Sequence, residues 1–506
     1  MKNSLYERLA YWAEHTPNHP CIVEVETARS ITYAECLQAV LEIRQHIGST
    51  PKNIFLMMPG GIVNALLWLS ALTGGHTLVP LSPDTVADEA RRAMSMFRPD
   101  LLFIEQDRQG KAFFPATTTV VTRQECESWL HCHEHNPYAP STPTSEGYAC
   151  VMTSGSTGQS KGVVLAEHQI AWTAEQIKTV HQLTQQDRGF TTLPFFHVNA
   201  PIVSLCASML AGSTVMIASH FSRRKFWSWV EHYQPTWISL VPTIVAILLD
   251  AEKPASLPSC LRFIRSASAP LPAAHLHAFE AAFGVPLIET YGLSEAASTV
   301  AANPLPPENH KPGSVGHPVG VSLRICQPRT TDAHDDLRDV EPGARGEICV
   351  RGPNVIQTYY GDVNPTAFHG EWFRTGDLGY LDSDGYLYIV GRLRSVINRG
   401  GENIAPRDIE EVLQTFPSVR EIAVVGRPDP IYGEQVVAYV TVRDPWTPEL
   451  ARRLHAHAAK HLSAHKVPVE FIALDALPRN RTGKIDSQQL KQREETQICG
   501  IGNFPR

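Results

Sequence analysis

Short apolar runs alternate with amphipathic segments along the N-terminal part of the chain. Between about residues 20 and 130, strand-like runs such as "NIFLMM" and "DLLFIE" alternate with helix-like segments such as "GIVNALLWLSALTGG". A second series follows, with the strand-like runs "TWISLVP", "LRFIRSA" and "VPLIETYG" separated by helical segments. This alternation predicts βαβ units arranged as two α/β layers on mainly parallel sheets.

The pattern changes twice in the C-terminal half of the chain. From about residue 310 to 392, short strands and turns such as "GEICVRG" and "GYLYIVG" predict a small β-rich subdomain. Helix and strand patterns then follow in the last stretch of about 110 residues, which is enough for a separate α+β domain. The sequence therefore predicts an N-terminal domain over residues 1–393 and a C-terminal domain over residues 394–506.

Composition and charge narrow the class of protein. The chain has 506 residues, 43% of them hydrophobic, and a net charge of -7, which predicts a soluble protein with more than one core. The mild acidity argues against nucleic acid or an anionic membrane as the main partner. No apolar run reaches the roughly 20 residues that span a bilayer, and the N-terminus lacks a signal peptide's apolar core. The ten cysteines are scattered, which favours free thiols in the cytoplasm.

A loop rich in glycine and hydroxyl residues, "TSGSTGQSKGVVL", begins at Thr153. Glycines allow the backbone N–H groups of such a loop to converge on an anion, which predicts a phosphate site. A Walker loop needs a glycine directly before its lysine and a hydroxyl directly after it. Ser160 and Gly162 flank Lys161 instead, so this is a phosphate loop of another type.

Two further stretches carry carboxylates beside predicted strands. In "TYGLSE", Glu295 follows a strand end, where α/β sheets bind ligands, and could hold Mg²⁺ against phosphate oxygens. A helix N-cap formed with Ser294 is the alternative, and this stretch alone favours it. In "WFRTGDLGY", Asp377 lies in a glycine-flanked turn and could accept hydrogen bonds from ribose hydroxyls.

Two more stretches lie in the predicted C-terminal domain. "INRGGENIAP" contains Gly400 and Gly401, and by itself it predicts only a tight turn before a helix. "PRNRTGKID" places Lys484 on a glycine-containing turn. A solvated basic turn is the ordinary interpretation of such a stretch. The alternative is a lysine that a mobile domain brings to a phosphate-bearing ligand.

Taken together and in this order, the five stretches resemble the adenylate-forming superfamily of acyl-CoA synthetases, luciferases and nonribosomal adenylation domains. The resemblance extends from about residue 20 to about residue 490. It implies a large N-terminal domain of two α/β layers with a distorted β-barrel, followed by a small mobile α+β lid domain. It also implies an AMP-forming acid–thiol ligase that uses ATP, Mg²⁺ and CoA to make first an acyl-adenylate and then a thioester.

The resemblance implies roles for individual residues of the nucleotide site. Lys484 is expected to bridge the attacking carboxylate and the α-phosphate, and Arg394 to lie at the hinge, where most relatives have Asp or Lys. Thr290 and Glu295 are expected at the α-phosphate, with Glu295 as the Mg²⁺ ligand. The remaining residues expected to bind ATP or AMP are Thr153, Ser154, Gly155, Ser156, Thr157, Gly158, Lys161, Ala267, Ser268, Ala269, Tyr291, Gly292, Asp377 and Arg392.

The same resemblance implies where the acid and the thiol bind. The acyl pocket is expected at His197, Val198, Ala296 and Ala297, and the pantetheine channel at Gly400, Gly401 and Glu402. The stretch "PFFHVNAP" lacks the aspartate with which amino-acid-activating relatives hold the α-amine, so an amino acid substrate is disfavoured.

Several stretches are most similar to the oxalate and small-acid CoA ligase branch, which favours a small or compact carboxylic acid. A small apolar pocket would also admit an aryl or medium-length acyl chain, because it separates neighbouring acids by only about 1 to 3 kcal/mol per methylene. A ligase that loads the pantetheine of an acyl carrier protein is an alternative with the same chemistry. A non-catalytic acyl or nucleotide sensor is a third possibility, which the retained Lys484, Glu295 and Asp377 disfavour.

Overall fold

The computed structural model describes residues 4–106, 113–130, 145–154, 160–254, 256–328, 337–362, 365–400, 402–480 and 483–493. Several helices begin at reciprocal capping boxes that satisfy the free N–H groups of the first turn. In the first helix, the Ser4 hydroxyl accepts from the Glu7 N–H, and the Glu7 carboxylate accepts from the Ser4 N–H. Thr32 with Glu35 repeats this arrangement at the second helix.

The described residues form thirteen α-helices. They are α1 (Leu5–His15), α2 (Tyr33–Ile47), α3 (Ile62–Thr73), α4 (Ala87–Met96), α5 (Arg123–Trp129), α6 (Glu167–Val180), α7 (Ala207–Ala211), α8 (Phe226–Tyr233), α9 (Pro242–Leu249), α10 (Ala273–Phe283), α11 (Pro406–Gln414), α12 (Pro448–His461) and α13 (Ser487–Lys491).

The strands of the described residues number twenty-five. They are β1 (Pro20–Glu24), β2 (Arg29–Thr32), β3 (Asn53–Met57), β4 (Thr77–Pro80), β5 (Leu101–Ile104), β6 (Thr119–Thr122), β7 (Tyr148–Ser154), β8 (Ser160–Ala166), β9 (Arg188–Thr191), β10 (Thr214–Ile217), β11 (Trp237–Leu240), β12 (Phe263–Ser266), β13 (Leu287–Tyr291), β14 (Ala301–Ala302), β15 (His317–Pro318), β16 (Ser322–Cys326), β17 (Gly346–Arg351), β18 (Phe368–His369), β19 (Trp372–Leu381), β20 (Leu387–Arg392), β21 (Ile397–Arg399), β22 (Glu402–Ile404), β23 (Val419–Asp429), β24 (Gly433–Val442) and β25 (Glu470–Ala473).

Two mainly parallel sheets form the N-terminal part, as the alternating pattern predicts. The first has the order β6-β5-β3-β4-β7-β8, with only β8 antiparallel to its neighbour. Helix α3 is buried along its whole length and contacts β4 and β7 of this sheet and β1 of the second sheet. Burial on all sides explains why nine of the twelve residues of "IVNALLWLSALT" are apolar, rather than those of one face alone.

The second sheet has nine strands in the order β15-β14-β13-β12-β11-β9-β10-β1-β2. Its six central strands, from β13 to β1, run parallel, and their carboxyl ends lie at one edge of the sheet. The first strand pair of the chain, β1 and β2, belongs to this sheet, although the sequence groups it with the first series of runs. Apolar runs specify that a strand is buried, but they do not specify its neighbour.

The predicted β-rich stretch forms a five-stranded antiparallel sheet, in which β16, β17, β19 and β18 are neighbours and β20 pairs with β19. The remaining strands, β21 to β25, form a separate sheet in the C-terminal part. One face of that sheet packs against α11 and α12 through Ile409, Leu413 and Leu454. Its other face packs against α13 through Leu490. This confirms the predicted mixed α/β fold with a large N-terminal and a small C-terminal domain, while the boundary at residue 393 stays a prediction.

Several side chains join the C-terminal part to the N-terminal part. Asp250 pairs with Arg420 (2.9 Å) and Arg443 (3.7 Å). The Thr243 hydroxyl at the start of α9 donates to the Gly483 carbonyl oxygen at 3.1 Å. The two parts are therefore in contact next to Lys484.

The cysteines and the helices of the described ranges have two further properties. The eight cysteines in the described ranges are free thiols, and all but Cys260 are buried. Over the same ranges, every helix is too short or too polar to cross a lipid bilayer.

Candidate active site

The ends of β12 and β13 form one corner of the candidate site. Thr290 is the residue before the last in β13 and is 4% exposed. Its hydroxyl oxygen accepts from Arg265 Nη2 at 2.6 Å. Gly292 follows directly, and a Cβ atom there would lie 1.2 Å from the Ser298 carbonyl oxygen. Only glycine therefore fits between the end of β13 and the following loop, which carries Glu295.

Glu295 lies in a single 3₁₀ turn, Ser294–Ala296, that follows Leu293 and has no side-chain cap. Its carboxylate accepts from the Tyr359 hydroxyl at 2.8 Å, so the N-cap interpretation of this stretch is wrong. The Lys161 ammonium lies 4.8 Å from the centroid of the same tyrosine ring. Burial and the charge of Arg394 lower the pKa of Lys161, and the charge of Glu295 acts in the opposite direction. These contacts bring Lys161, near the start of β8, next to Glu295.

Asp377 lies on strand β19, so the predicted turn at this residue is wrong, and it faces Arg392 across the antiparallel pair β19 and β20. Asp377 is 5% exposed, and its carboxylate accepts from Arg392 Nε at 2.8 Å and from the Tyr291 hydroxyl at 2.6 Å. Burial and the negative charge of Asp377 raise the pKa of Tyr291, so this tyrosine stays a neutral donor. The predicted ribose residues and the predicted adenine residue Tyr291 thus form one hydrogen-bonded group.

The described ends of the glycine-rich stretch lie on the antiparallel strands β7 and β8. Thr153 pairs with Lys161 and Ser154 with Ser160 across these two strands, and the Thr153 hydroxyl donates to the Lys161 carbonyl oxygen at 3.4 Å. The predicted phosphate residues Gly155, Ser156, Thr157 and Gly158 lie outside the described residues.

The predicted adenine wall follows the carboxyl end of β12. Ala267 is buried, whereas Ser268 and Ala269 are partly exposed. Ser268 has a φ of 75°, and its hydroxyl oxygen accepts from Asn199 Nδ2 at 3.2 Å. A positive φ at a serine is strained, and such strain often occurs at functional sites.

The predicted acyl-pocket residues come from two loops. His197 is partly buried, and burial together with the charge of Lys484 lowers its pKa to about 4, so the ring is neutral at physiological pH. Val198 is 9% exposed, and Ala296 and Ala297 are fully buried. Asn354 Nδ2 donates to the Ala296 carbonyl oxygen at 2.8 Å and holds that loop in place.

Lys484 comes from the C-terminal part and is close enough to His197, Arg392, Asp377 and Glu295 for their charges to interact. Its side chain is solvent-accessible yet closely surrounded by protein, and this desolvation lowers its pKa. The charge of Arg392 acts in the same direction, whereas the charges of Asp377 and Glu295 oppose it. The Lys484 N–H donates to the Asn480 side-chain oxygen at 3.0 Å. One cation from the small domain thus faces the carboxylates of the large one.

The remaining predicted residues lie farther along the C-terminal part. The Gly400 N–H donates to the Tyr432 carbonyl oxygen at 2.7 Å, and Glu402 is exposed on the neighbouring strand β22. Gly401 lies outside the described residues. Arg394 is exposed in the 3₁₀ turn Leu393–Ser395 and is close enough for its charge to lower the pKa of Lys161. The Gly400 contact lies within the small domain, so the predicted pantetheine residues stay a prediction.

Three polar residues at the site escape the sequence analysis. Tyr359 in "TYYGD" has no distinguishing local pattern, because its partner Glu295 is distant in sequence. Asn199 lies just beyond the predicted pocket residues. Arg265 carried a usable signal, since it is the one charge inside the apolar run "FIRSA", and the core seldom buries a charge without a purpose.

Two families of sequences match the chain. The AMP-binding enzyme family matches residues 9–360, and the AMP-binding enzyme C-terminal domain matches residues 408–484.

Known proteins are similar over nearly the whole chain. A sulfoacetate–CoA ligase of Cupriavidus necator is 34% identical over 506 residues, which cover 97% of both proteins. An oxalate–CoA ligase of Arabidopsis thaliana is 40% identical over 458 residues, which cover 87% of this chain and 88% of that protein. The solved structure of the o-succinylbenzoate CoA synthetase of Bacillus subtilis, in complex with its acyl-adenylate intermediate, has a TM-score of 0.82 and 26% identity, with 96% of this chain and 98% of that chain covered.

Proposed function

We propose that this chain, which belongs to the family of AMP-binding enzymes, activates a small or compact carboxylic acid in two steps. It is an AMP-forming acyl-CoA synthetase that uses ATP, Mg²⁺ and CoA. The acid first attacks the α-phosphorus of ATP, which releases pyrophosphate and leaves an acyl-adenylate. The CoA thiol then displaces AMP and leaves the thioester.

The observation that carries this proposal is the approach of Lys484 to Glu295, Asp377, Arg392 and His197. A carboxylate and an α-phosphate repel each other, so a positive charge between them lowers the barrier to attack. Lys484 supplies that charge from the small domain, and Thr290 presents a hydroxyl from the large domain. The neutral His197 adds no charge of its own beside the acid.

Glu295 fits the expected magnesium site. Mg²⁺ is commonly bound by one or two carboxylates together with substrate phosphates and water, rather than by a complete set of protein ligands. In keeping with this, the described residues contain no cluster of three or more acidic, histidine or cysteine side chains. Glu295 would hold the ion with its free carboxylate oxygen while Tyr359 fixes the other. When bound, the ion would offset negative charge on the phosphates.

The remaining roles follow from the same proposal. Asp377 and Arg392 hold the ribose, and the stretch from Thr153 to Lys161 holds the leaving pyrophosphate. Ala267 to Ala269 and Tyr291 enclose the adenine, and Gly292 also lies at the nucleotide. His197, Val198, Ala296 and Ala297 lie at the acyl pocket. After adenylation, the small domain turns at Arg394 and brings Gly400, Gly401 and Glu402 to the thiol channel.

The comparisons support the proposed small acid, and the thiols support the proposed compartment. The acids named for the two similar ligases, sulfoacetate and oxalate, are short, which supports a small acid here. The buried free thiols support the cytoplasm as the compartment.

ATP–pyrophosphate exchange tests the proposal directly. The purified protein, ATP and Mg²⁺ are screened over a panel of short aliphatic, dicarboxylic and aryl acids, and exchange above background is expected with at least one short acid. The active acid is then offered with free CoA or with a phosphopantetheinylated carrier protein, and thioester is expected with CoA. Exchange with no acid would reject the proposal. Thioester formation on the carrier protein but not on CoA would make the carrier protein the acceptor.

A further inference from the structure

Arg265 is a buried cation inside the parallel sheet, next to the candidate acyl pocket. It lies on β12 and is only 1% exposed. A charge at this depth normally has an opposite charge beside it, because an unpaired buried ion is costly.

The partners of Arg265 are neutral. Its Nη2 donates to the Thr290 hydroxyl at 2.6 Å, and its Nη1 donates to the Asn199 side-chain oxygen at 3.1 Å and to the Ser239 hydroxyl at 3.4 Å. Its Nε is buried, and within the described ranges it has no hydrogen-bond partner. Burial lowers the pKa of Arg265 to about 9, and no acidic side chain contributes to offset this shift.

Two other buried arginines of the chain are paired with carboxylates. Arg374 lies 2.6 Å from Glu347 in the antiparallel sheet, and Arg407 lies 2.8 Å from Glu411. Arg265 therefore differs from them in lacking an internal counter-charge, which indicates that a bound anion supplies it.

A polar path leads from Arg265 to the wall of the pocket. Asn199 accepts from the guanidinium with its oxygen and donates with its nitrogen to the Ser268 hydroxyl at 3.2 Å. Asn199 lies two residues after His197 in the sequence, and Ser268 is partly exposed. The φ of 75° at Ser268 lies in the left-handed region, which strains the backbone of a serine. Holding a hydroxyl at this wall explains why that strain is retained.

We propose that Arg265 is the counter-charge for a second anionic group on the acid substrate, and that Asn199 and Ser268 form the polar wall where this group rests. The inference depends on the proposed ligase function and narrows its substrate class. The substrate is then a short acid with a second carboxylate or a sulfonate, since a neutral tail would leave the guanidinium uncompensated.

Matched pairs of acids test the inference by ATP–pyrophosphate exchange. Malonate and sulfoacetate are each compared with propionate, and succinate is compared with butyrate, so that each pair differs in the second anionic group. The wild-type protein should prefer at least one dianionic member. Because removing one partner of a buried charge pair costs several kcal/mol, Arg265→Gln should lower that preference by about 30-fold or more. The loss should appear in KM for the acid with KM for ATP unchanged, and Arg265→Lys should restore part of the preference.

Asn199→Asp provides a second test that leaves Arg265 in place. The new carboxylate would give the guanidinium an internal partner, so the melting temperature should rise or hold while the preference for dianionic acids is lost. This variant decides the question even where Arg265→Gln does not fold.

The outcomes separate this inference from the proposed function. If Arg265→Gln lowers exchange equally for both acids of every pair, or raises KM for ATP, then Arg265 positions Thr290 at the α-phosphate. Either result would overturn the inference. A wild-type preference for the monoacids, or an unchanged preference in Asn199→Asp, would overturn it as well. Exchange with no acid at all would instead reject the ligase function itself.

Discussion

At the scale of single residues, the position of the Glu295 carboxylate is fixed by a hydrogen bond from a tyrosine far away in the sequence. Tyr359→Phe removes the 2.8 Å hydrogen bond to Glu295 but keeps the ring on which Lys161 packs. A hydrogen bond to a charged group contributes about 1.5 to 3 kcal/mol, so KM for Mg-ATP should rise roughly tenfold or more. Steady-state exchange over a Mg²⁺ series measures this. The control is Tyr360→Phe at the exposed neighbour that packs on Phe97, where no change is expected; equal effects at both positions would refute the role of Tyr359.

Lys484 should give adenylation an alkaline limit below that of an ordinary lysine. The lysine acts only while protonated, so its contribution is complete below its pKa and is lost as pH rises through it. Desolvation and Arg392 lower that pKa, which moves the loss of activity toward neutrality. In Lys484→Arg, the higher pKa of a guanidinium should extend the active range to higher pH, whatever the absolute rate. Pyrophosphate release in a single turnover as a function of pH gives both profiles, and identical alkaline limbs would argue against Lys484 as the titrating group.

Residue chemistry could be predicted from the sequence where the signal is local. "TYGLSE" predicts a strand end with a carboxylate, and Thr290 and Glu295 do lie there. The same stretch favours a helix cap when considered alone, because the partner of Glu295 is brought in by the fold. The contact between Arg265 and Thr290 is equally hidden, since it arises from the pairing of β12 with β13.

At the scale of elements, the loop after β13 has its path fixed by Gly292. In Gly292→Ala the new Cβ would meet backbone atoms, the Ser298 carbonyl oxygen at 1.2 Å and its carbon at 2.4 Å, which cannot rotate away. The loop must move and take Glu295 with it. We expect a loss of about 1 to 3 kcal/mol in the free energy of unfolding, measured by urea denaturation, together with a large loss of exchange activity.

Gly284→Ala is the matched control for that loop. Gly284 ends α10 with a φ of 65° and has no atom within 4 Å of an added Cβ. Only backbone strain of roughly 1 to 2 kcal/mol is expected there, with exchange activity retained. Full activity in Gly292→Ala would show that the loop has more freedom than its packing indicates.

The order of helices and strands along the chain could be predicted from the sequence. The pairing partners of several strands could not. Runs such as "TWISLVP" and "LRFIRSA" become β11 and β12 because long apolar runs between turns suit a sheet that is buried on both faces. The placement of β1 beside β10 depends on contacts distant in sequence, which no run of residues encodes. The five residues of the glycine-rich loop from 155 to 159 lie outside the described ranges, so their predicted phosphate contacts stay predictions.

At the scale of the whole molecule, the two domains meet beside Lys484, the residue that we propose to act in adenylation. The Thr243 hydroxyl of the large domain donates to the Gly483 carbonyl oxygen at 3.1 Å and accepts from Arg479 Nη1 at 2.8 Å. Gly483 directly precedes Lys484. Thr243 thus positions the lysine without needing to contact any substrate, and it can do so only while the domains have this relative orientation.

Thr243→Val should therefore slow the first half-reaction and leave the second unchanged. The isosteric change removes both hydrogen bonds, which together contribute about 1 to 2 kcal/mol, so single-turnover acyl-adenylate formation should slow roughly tenfold. Thioester formation from supplied acyl-adenylate and CoA should keep its rate, because in the proposed mechanism Lys484 has left the site before that step. Thr415→Val, which removes a hydroxyl that bonds within the small domain, is the control and should affect neither step. Equal slowing of both half-reactions in Thr243→Val would mean that this contact supports the fold rather than the adenylating arrangement of the domains.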